Sequence, residues 1–306
     1  MRLVFAGTPA AAVPSLQRLA ESHDIAAVVT RPDAPLGRRR TLTPSPVAQS
    51  AVELGLPVIK TARLDDAATM EISALEADLG VVVAYGGLVR EPLLSAPGAG
   101  WINLHFSLLP AWRGAAPVQR ALIAGDQVLG ASVFQLVAEL DAGDVYAMRE
   151  VDVPATATAG EALEMLAADG AQLLAEVVAA IAEGSASSKP QQGEPTFAAK
   201  LTLADGLLDW RRPLDAVFAH FRGVTPEPGA HTTVAGQPLK VLEATPAPDA
   251  EPLAPGRLRG TKTALHIGTG SGALAVTRVQ PAGKGAMNAV DWWRGLRGGD
   301  ELVAGS

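Results

Sequence analysis

The 306-residue sequence contains no cysteine. Disulfides, a thiol nucleophile and cysteine-ligated zinc are therefore excluded. His23, His220, His231 and His266 have no ligand-like spacing, so surface or core structural roles are expected of them rather than metal binding. Basic residues are in the minority: 25 Lys and Arg against 32 Asp and Glu leave a net charge of −7. Non-specific nucleic-acid binding rests on Lys and Arg neutralising phosphates. A generic nucleic-acid coat is thus disfavoured, and any RNA contact must come from local basic patches. No apolar run is read as reaching membrane-spanning length, and the opening strand is too soon interrupted by Pro9 and Pro14 for a signal peptide. Three motifs are missing as well. Gly7-Thr8-Pro9-Ala10 lacks the later glycines of G-x-G-x-x-G, which removes a nicotinamide site. No G-x-S-x-G elbow supports a serine hydrolase. Gly283-Lys284-Gly285 has neither the upstream glycine nor the downstream hydroxyl of a phosphate loop.

What remains is a composition of 48% hydrophobic and 19% charged residues, that of a soluble globular protein. The length suits one large domain or two ordinary ones. Short apolar strands at 2–6, 25–30, 57–59 and 78–85 alternate with helices ending near residue 21 and spanning 45–55 and 65–75. This is the pattern of a parallel α/β sheet. A helix at 116–124, a strand at 131–136 and a long amphipathic helix at 159–183 follow. Residues 184–195, GSASSKPQQGEP, have the composition of a linker. After a helix at 214–222, short strands at 231–234, 239–244, 256–259, 264–267 and 273–280 predict a small β-barrel. The expected organisation is an α/β domain over 1–184, a linker over 185–204 and an OB-like barrel domain over 205–306. Arg257, Arg259, Lys262, Arg278 and Lys284 form its candidate basic face.

Residues 100–144 carry the chemistry. In Trp101-Ile102-Asn103-Leu104-His105-Phe106 polar and apolar side chains alternate, so Asn103 and His105 share one face of a strand about 7 Å apart. An amide and an imidazole side by side are hydrogen-bond donors suited to steadying an oxyanion. Ser107-Leu108-Leu109-Pro110 leaves the strand as a stiff turn. Further on, Leu140-Asp141-Ala142-Gly143-Asp144 offers a carboxylate beside a glycine whose backbone can approach other groups closely. Asn103, His105 and Asp141 together make a set for acyl-type chemistry. Residues 31–46 form a non-periodic stretch containing Arg38, Arg39 and Arg40 after Gly37. They read either as a solvated loop or as an arm presenting guanidinium groups to phosphates.

Three blocks agree in order and spacing: N-x-H-x-S-L-L-P at 103–110, W-R-G-A-A-P-x-Q-R-A at 112–121, and L-D-x-G-D at 140–144. Together they resemble the formyltransferases that use 10-formyltetrahydrofolate. The likeness runs from Met1 to about Gly295, and over that length it is to the branch acting on methionyl initiator tRNA. It implies a Rossmann-like parallel-sheet domain that binds folate near its C-terminal strand ends. Tyr85, Gly86, Ser107, Leu108, Leu109 and Pro110 would lie on the folate side, and Asn103, His105 and Asp141 would be catalytic. Arg38, Arg39 and Arg40 would stand in a loop entering the tRNA acceptor stem. The resemblance also implies 10-formyltetrahydrofolate as co-substrate with no metal, initiator methionyl-tRNA as partner, no membrane, a monomer and a cytoplasmic location. The sequence departs from the family at Leu129, where a threonine is usual, at Glu227, where tryptophan is usual, and after Arg38, where lysines are commoner. Two rivals stay open at this point: a formyltransferase acting on a sugar-nucleotide amine or purine intermediate, and a non-catalytic folate- or RNA-binding protein.

Overall fold

The computed structural model describes residues 1–37, 40–296 and 301–305. It divides into two compact units. The first comprises Met1–Pro117, Val128–Asp152 and Leu163–Ala198; the second takes Val118–Gln127, Val153–Ala162 and the chain from Ala199 onward.

The first unit is built on a seven-stranded sheet. Its strands are β1 (Arg2–Gly7), β2 (Asp24–Thr30), β5 (Val58–Lys60), β6 (Leu79–Val83), β7 (Trp101–His105), β9 (Leu129–Gln135) and β10 (Val145–Val151), in the order β10-β9-β7-β6-β1-β2-β5. The strands from β7 to β5 in that row run parallel, while β9 and β10 join antiparallel at one edge. The parallel strands are near-continuous apolar runs because helices cover both faces of such a sheet. All five residues of β6 are buried. Helices α1 (Val13–Ala20), α2 (Pro46–Glu53) and α3 (Asp66–Ser73) connect these strands; Ser45 and Asp65 cap α2 and α3 by accepting from Ala48 N and Ala68 N at 3.0 Å. The core closes over Trp101, which is fully buried and donates Nε1–H to Leu93 O at 2.8 Å. Gly80 lies under that indole, where any Cβ would fall 2.1 Å from a ring carbon. From β1 the chain winds outward to β2 and β5, then returns to β6 on the other flank of β1. The winding direction therefore reverses between β1 and β6, and Rossmann-like folds open a ligand crevice at the carboxyl ends of such strands.

Residues 31–46, expected as a non-periodic loop, contain a hairpin: β3 (Ala34–Leu36) pairs with β4 (Thr41–Thr43). Leu36 and Leu42 are both exposed. With no buried face, such a hairpin shows no hydrophobic alternation, which is why its periodicity was absent. A second correction concerns α5 (Ala159–Ala182). At 24 residues and a mean hydropathy of 1.5, it is long and apolar enough by composition to cross a membrane, contrary to the reading of run lengths. Leu166, Leu174 and Val178 are fully buried within the protein, and Gly170 packs on Leu104. A core helix of a globular fold meets the same compositional test.

The second unit holds α4 (Pro117–Ala124) from Val118 onward, α6 (Leu214–Gly223) and an antiparallel curled sheet. Strands β12 (His231–Val234), β13 (Gln237–Ala247), β14 (Leu258–Gly260), β15 (Leu265–Gly268) and β16 (Ala273–Pro281) follow the order β12-β13-β16-β15-β14. Val234 bridges Ala304 and Arg257 bridges Val303, so the chain terminus links the two edge strands and gives the sheet its barrel-like form. Trp210, Phe218, Phe221, Val241, Leu265 and Leu274 fill its core. Trp210 Nε1 donates to Thr232 Oγ1 at 2.9 Å. A short strand β17 (Met287–Asn288), paired to β16, and helix α7 (Ala289–Arg294) were not anticipated. Among the five candidate cations, Arg259 pairs with Glu251, Arg278 with Glu243, and Arg257 donates to Glu301 O at 2.8 Å. Acidic neighbours thus offset part of that basic face.

Candidate active site

Asn103 and His105 stand at the carboxyl end of β7, opposite Phe134 and Ser132 of β9. The side chain of Asn103 is half-buried and makes no hydrogen bond to another described residue. His105 is buried, in an edge-to-face contact with Phe134 whose ring centre lies 6.4 Å from its own. Its Nε2 lies 2.9 Å from Trp112 O. A carbonyl can only accept, so Nε2 carries the proton. Nδ1 is then the nitrogen left for chemistry, and it faces Asp141 Oδ2 at 3.9 Å. Burial pushes the His105 pKa below that of free imidazole; the Asp141 charge and the Trp112 carbonyl oppose that push. The neutral ring therefore offers Nδ1 as a proton acceptor. Once protonated, Nδ1 becomes a donor beside a carboxylate that balances its charge.

Asp141 is held by backbone rather than by luck of its rotamer. Its Oδ2 accepts the Gly114 N–H at 2.8 Å, and its own backbone is left-handed, φ 47°. Trp112, whose carbonyl binds His105, is left-handed too, φ 60°. Each non-glycine residue in this region costs roughly 1–2 kcal/mol, so its surroundings must impose it. The neighbouring glycines let them. At Gly114, φ 123°, a Cβ would meet Ala198 O at 2.8 Å; at Gly143 it would meet Gln135 O at 1.8 Å.

The remaining constraint comes from residues 189–198, which lie within the stretch 185–204 expected as a linker. Lys189 and Val145 exchange both backbone hydrogen bonds. Trp112 N donates to Thr196 Oγ1 at 2.9 Å and Arg113 N to Thr196 O at 2.8 Å. The two-residue strand β11 (Phe197–Ala198) pairs with β8 (Arg113–Gly114). Between these anchors, Gln191 accepts from Arg113 Nε and Nη2 at 3.1 and 2.6 Å and donates to Asp141 O and Gly143 O at 2.8 and 2.9 Å. Trp112, Gly114, Gln191 and Thr196 are the residues that sequence reasoning missed. Gly114 lies within the W-R-G-A-A-P block and could have been suspected; Gln191 sits in low-complexity sequence and could not.

The other expected site residues are placed as follows. Tyr85 follows β6, next to β7, but its side chain is buried in the core under the Arg31 guanidinium, 5.7 Å from the ring centre. Burial raises its pKa, against the opposing charge of Arg31. Gly86 is left-handed, φ 75°, and its carbonyl accepts from Arg31 Nη2. Thr8 Oγ1, at the end of β1, donates to Tyr85 O at 3.2 Å, tying the two strand ends together at the reversal point. Ser107 is buried and donates to Ala111 O at 2.6 Å. Ser132 Oγ fastens the same turn, donating to Ser107 O at 2.7 Å and accepting from Leu109 N at 3.1 Å. Leu109 packs against Phe134 and Val145, and Leu108 lies over Gly130. Tyr85 and Leu109 thus have interior side chains, leaving backbone as what they can offer a ligand. Leu129 is buried at the start of β9, an apolar setting for the residue that departs from the family, and Glu227 is exposed. Arg38 and Arg39 lie outside the described residues; Arg40 is exposed, left-handed at φ 49°, with its N–H donated to Gly37 O at 3.1 Å. Among the described residues no group of three or more His, Asp and Glu could hold a metal ion.

A doubly wound domain with an Asn, His and Asp set at its strand ends, continued by an antiparallel barrel, defines a class of group-transfer enzyme. The formyl transferase family matches residues 1–178, and its C-terminal domain matches residues 200–297; the chain belongs to this family. Particular relatives narrow the likeness. The methionyl-tRNA formyltransferase of Clavibacter sepedonicus is 59% identical over 304 residues, covering 99% of this chain and 100% of the relative. That of Leifsonia xyli subsp. xyli is 58% identical over 304 residues, with 99% and 100% covered. Among solved structures, the N-formyltransferase from Helicobacter canadensis in complex with folinic acid and dTDP-3-aminofucose is similar with a TM-score of 0.68 at 15% identity, over 91% of this chain and 98% of that one. At that identity the likeness is one of fold.

Proposed function

We propose that this protein transfers the formyl group of 10-formyltetrahydrofolate to the α-amino group of methionine esterified to initiator tRNA. The observation that carries the reading is the Asp141 carboxylate 3.9 Å from His105 Nδ1, beside an Asn103 amide with no competing partner among the described residues, in a chain 59% identical to a methionyl-tRNA formyltransferase over nearly its whole length. Attack of a neutral amine on the formyl carbon puts negative charge on the formyl oxygen and leaves a proton on the amine. Asn103 donates its amide N–H to that oxygen. His105 Nδ1 takes the proton, and Asp141 stabilises the imidazolium that results. The intermediate then collapses: the bond from the formyl carbon to N10 of the folate breaks, protonated His105 Nδ1 returns its proton to the departing N10, and tetrahydrofolate and the formylated amine are released with His105 neutral again. The folate is assigned to the carboxyl ends of β1, β6 and β7, where folds of this kind bind ligands, with the backbone of residues 85–86 and 107–110 and the half-buried side chain of Leu108 as its assigned contacts. No metal is needed for the steps assigned to these side chains. Arg38, Arg39 and Arg40 are assigned to tRNA phosphates, and the barrel unit to the body of the tRNA.

The test is transfer of labelled formyl from the folate donor to Met-tRNA, with a dTDP-amino sugar and free methionine as competing acceptors. Transfer to Met-tRNA alone is expected. Asn103→Ala, His105→Ala and Asp141→Ala should each lower turnover on the order of 10²- to 10³-fold while the fold stays intact by circular dichroism. Equal transfer to the amino sugar would overturn the acceptor assignment. Near-normal turnover in any one variant would remove that residue from the mechanism.

A further inference from the structure

We infer that Gln191 is a positioning residue for the His105–Asp141 pair: it ties the turn carrying Asp141 to the turn carrying Arg113 and thereby sets the carboxylate against the imidazole. The inference rests on the functional reading of those two residues given above.

The hydrogen bonds of its amide fix which end is which. Arg113 can only donate, so the atom facing its Nε and Nη2 is the Gln191 oxygen; the Asp141 and Gly143 carbonyls can only accept, so the atom facing them is the amide nitrogen. Flipping the amide would set donor against donor and acceptor against acceptor. Both N–H groups and both acceptor directions are thus occupied by protein. What the two ends hold is more telling. One end grips the turn in which left-handed Trp112 receives His105 Nε2 and Gly114 N–H reaches the Asp141 carboxylate. The other end grips the left-handed Asp141 backbone itself and the carbonyl two residues on. Backbone of that kind persists only where its neighbours over-determine it. The strap bearing Gln191 is itself anchored on both sides, by the Lys189–Val145 bridge and by Thr196 and β11 along residues 112–114. A plain tether would need none of these bonds. Here a single side chain from the middle of the strap spans both turns.

The inference is tested in the full-length chain with Gln191→Met, close in shape but without the amide's hydrogen bonds, and Gln191→Glu, which still accepts from Arg113 but has no N–H for the carbonyls. Three quantities are read: formyl transfer with KM for the folate donor, the thermal midpoint, and the titration of the His105 imidazole by NMR with no substrate present. Gln191→Met is expected to lower kcat about 10- to 10²-fold, because small misplacements of reacting groups carry losses of that order, with KM for the donor little changed. The His105 midpoint is expected to fall. Asp141 is the charge that favours protonated His105; Trp112 O faces Nε2 and Phe134 faces the ring from β9, and neither replaces that charge. Gln191→Glu should share the loss in kcat. A Met variant that loses thermal stability but keeps the wild-type His105 titration would show Gln191 to be scaffold only, and a Glu variant with wild-type turnover would show the carbonyl tether to be idle. Either result overturns the inference. Should Asp141→Ala turn over normally, the functional reading fails instead, and the substrate-free titration still reports whether Gln191 holds the carboxylate in place.

Discussion

His105 is both the most buried ionisable group of the candidate site and the one whose protonation the proposed chemistry uses. Since burial lowers its pKa in the folded chain, the native state prefers the neutral ring. The unfolded chain takes up that proton near pH 6.5. Stability is therefore fully present above about pH 6.5 and falls as the pH drops through that value, levelling only below the folded pKa. His23 and His266 are shifted in the same direction by burial and add to the same acid-side loss. The expected outcome is that urea midpoints measured from pH 5 to pH 8 fall on the acid side, and that His105→Gln flattens part of that fall. A slope unchanged by the substitution would mean that His105 titrates as freely in the native protein as in the unfolded one. At this scale the sequence was informative about identity and silent about tautomer: alternation along β7 placed Asn103 and His105 on one face, but only the Trp112 carbonyl decides that Nδ1 is the nitrogen without a proton in the neutral ring.

At the scale of elements, the candidate site is the carboxyl end of β7 met by two turns, and the turns are held by a strap. Gly114 is where the three meet. Its N–H binds Asp141, its φ of 123° excludes most side chains, and a Cβ would press on Ala198 O at 2.8 Å. Gly114→Ala is expected to cost about 1–3 kcal/mol, from positive-φ strain and displacement of β11. Calorimetry should show the lowered midpoint, and labelled formyl transfer should show a larger proportional loss than a surface substitution of equal thermal effect. Unchanged transfer at a lowered midpoint would separate the strap from the chemistry. Strands β1, β2, β5, β6, β7 and β9 and the helices between them were legible beforehand because burial on one or both faces writes a period into the sequence, whereas β10, half-buried or exposed beyond Val145, was not read. The exposed hairpin β3–β4, the two-residue strands β8 and β11 and the Gln191 strap write none, since their order comes from hydrogen bonds rather than from a buried face, and for the strap those bonds reach partners far along the chain.

For the whole molecule, a net charge of −7 must coexist with a polyanionic substrate. The proposed resolution is local: Arg38, Arg39 and Arg40 together, with part of the barrel's basic set offset by Glu243 and Glu251. Affinity for Met-tRNA is then expected to fall with salt, and replacing the three arginines by alanine should reduce the slope of log K against log salt by about 0.7–0.9 for each phosphate they had neutralised. Fluorescence titration across salt concentrations measures it; an unaltered slope would exclude the run from phosphate binding. By itself the sequence determined the class of fold and the succession of most of its main elements along the chain, and it supplied the candidate residues for the site, because hydrophobic period and short motifs are local quantities. It also displayed the family, since three blocks in fixed order leave few alternatives. Only the tertiary structure decided that segments 118–127 and 153–162 join the C-terminal unit, that residues 303–304 link the barrel's edge strands, and that a glutamine in a linker-like stretch braces the carboxylate. Those are pairings between residues tens to hundreds of positions apart, fixed by close approach and hydrogen-bond satisfaction in three dimensions, and no local pattern encodes them.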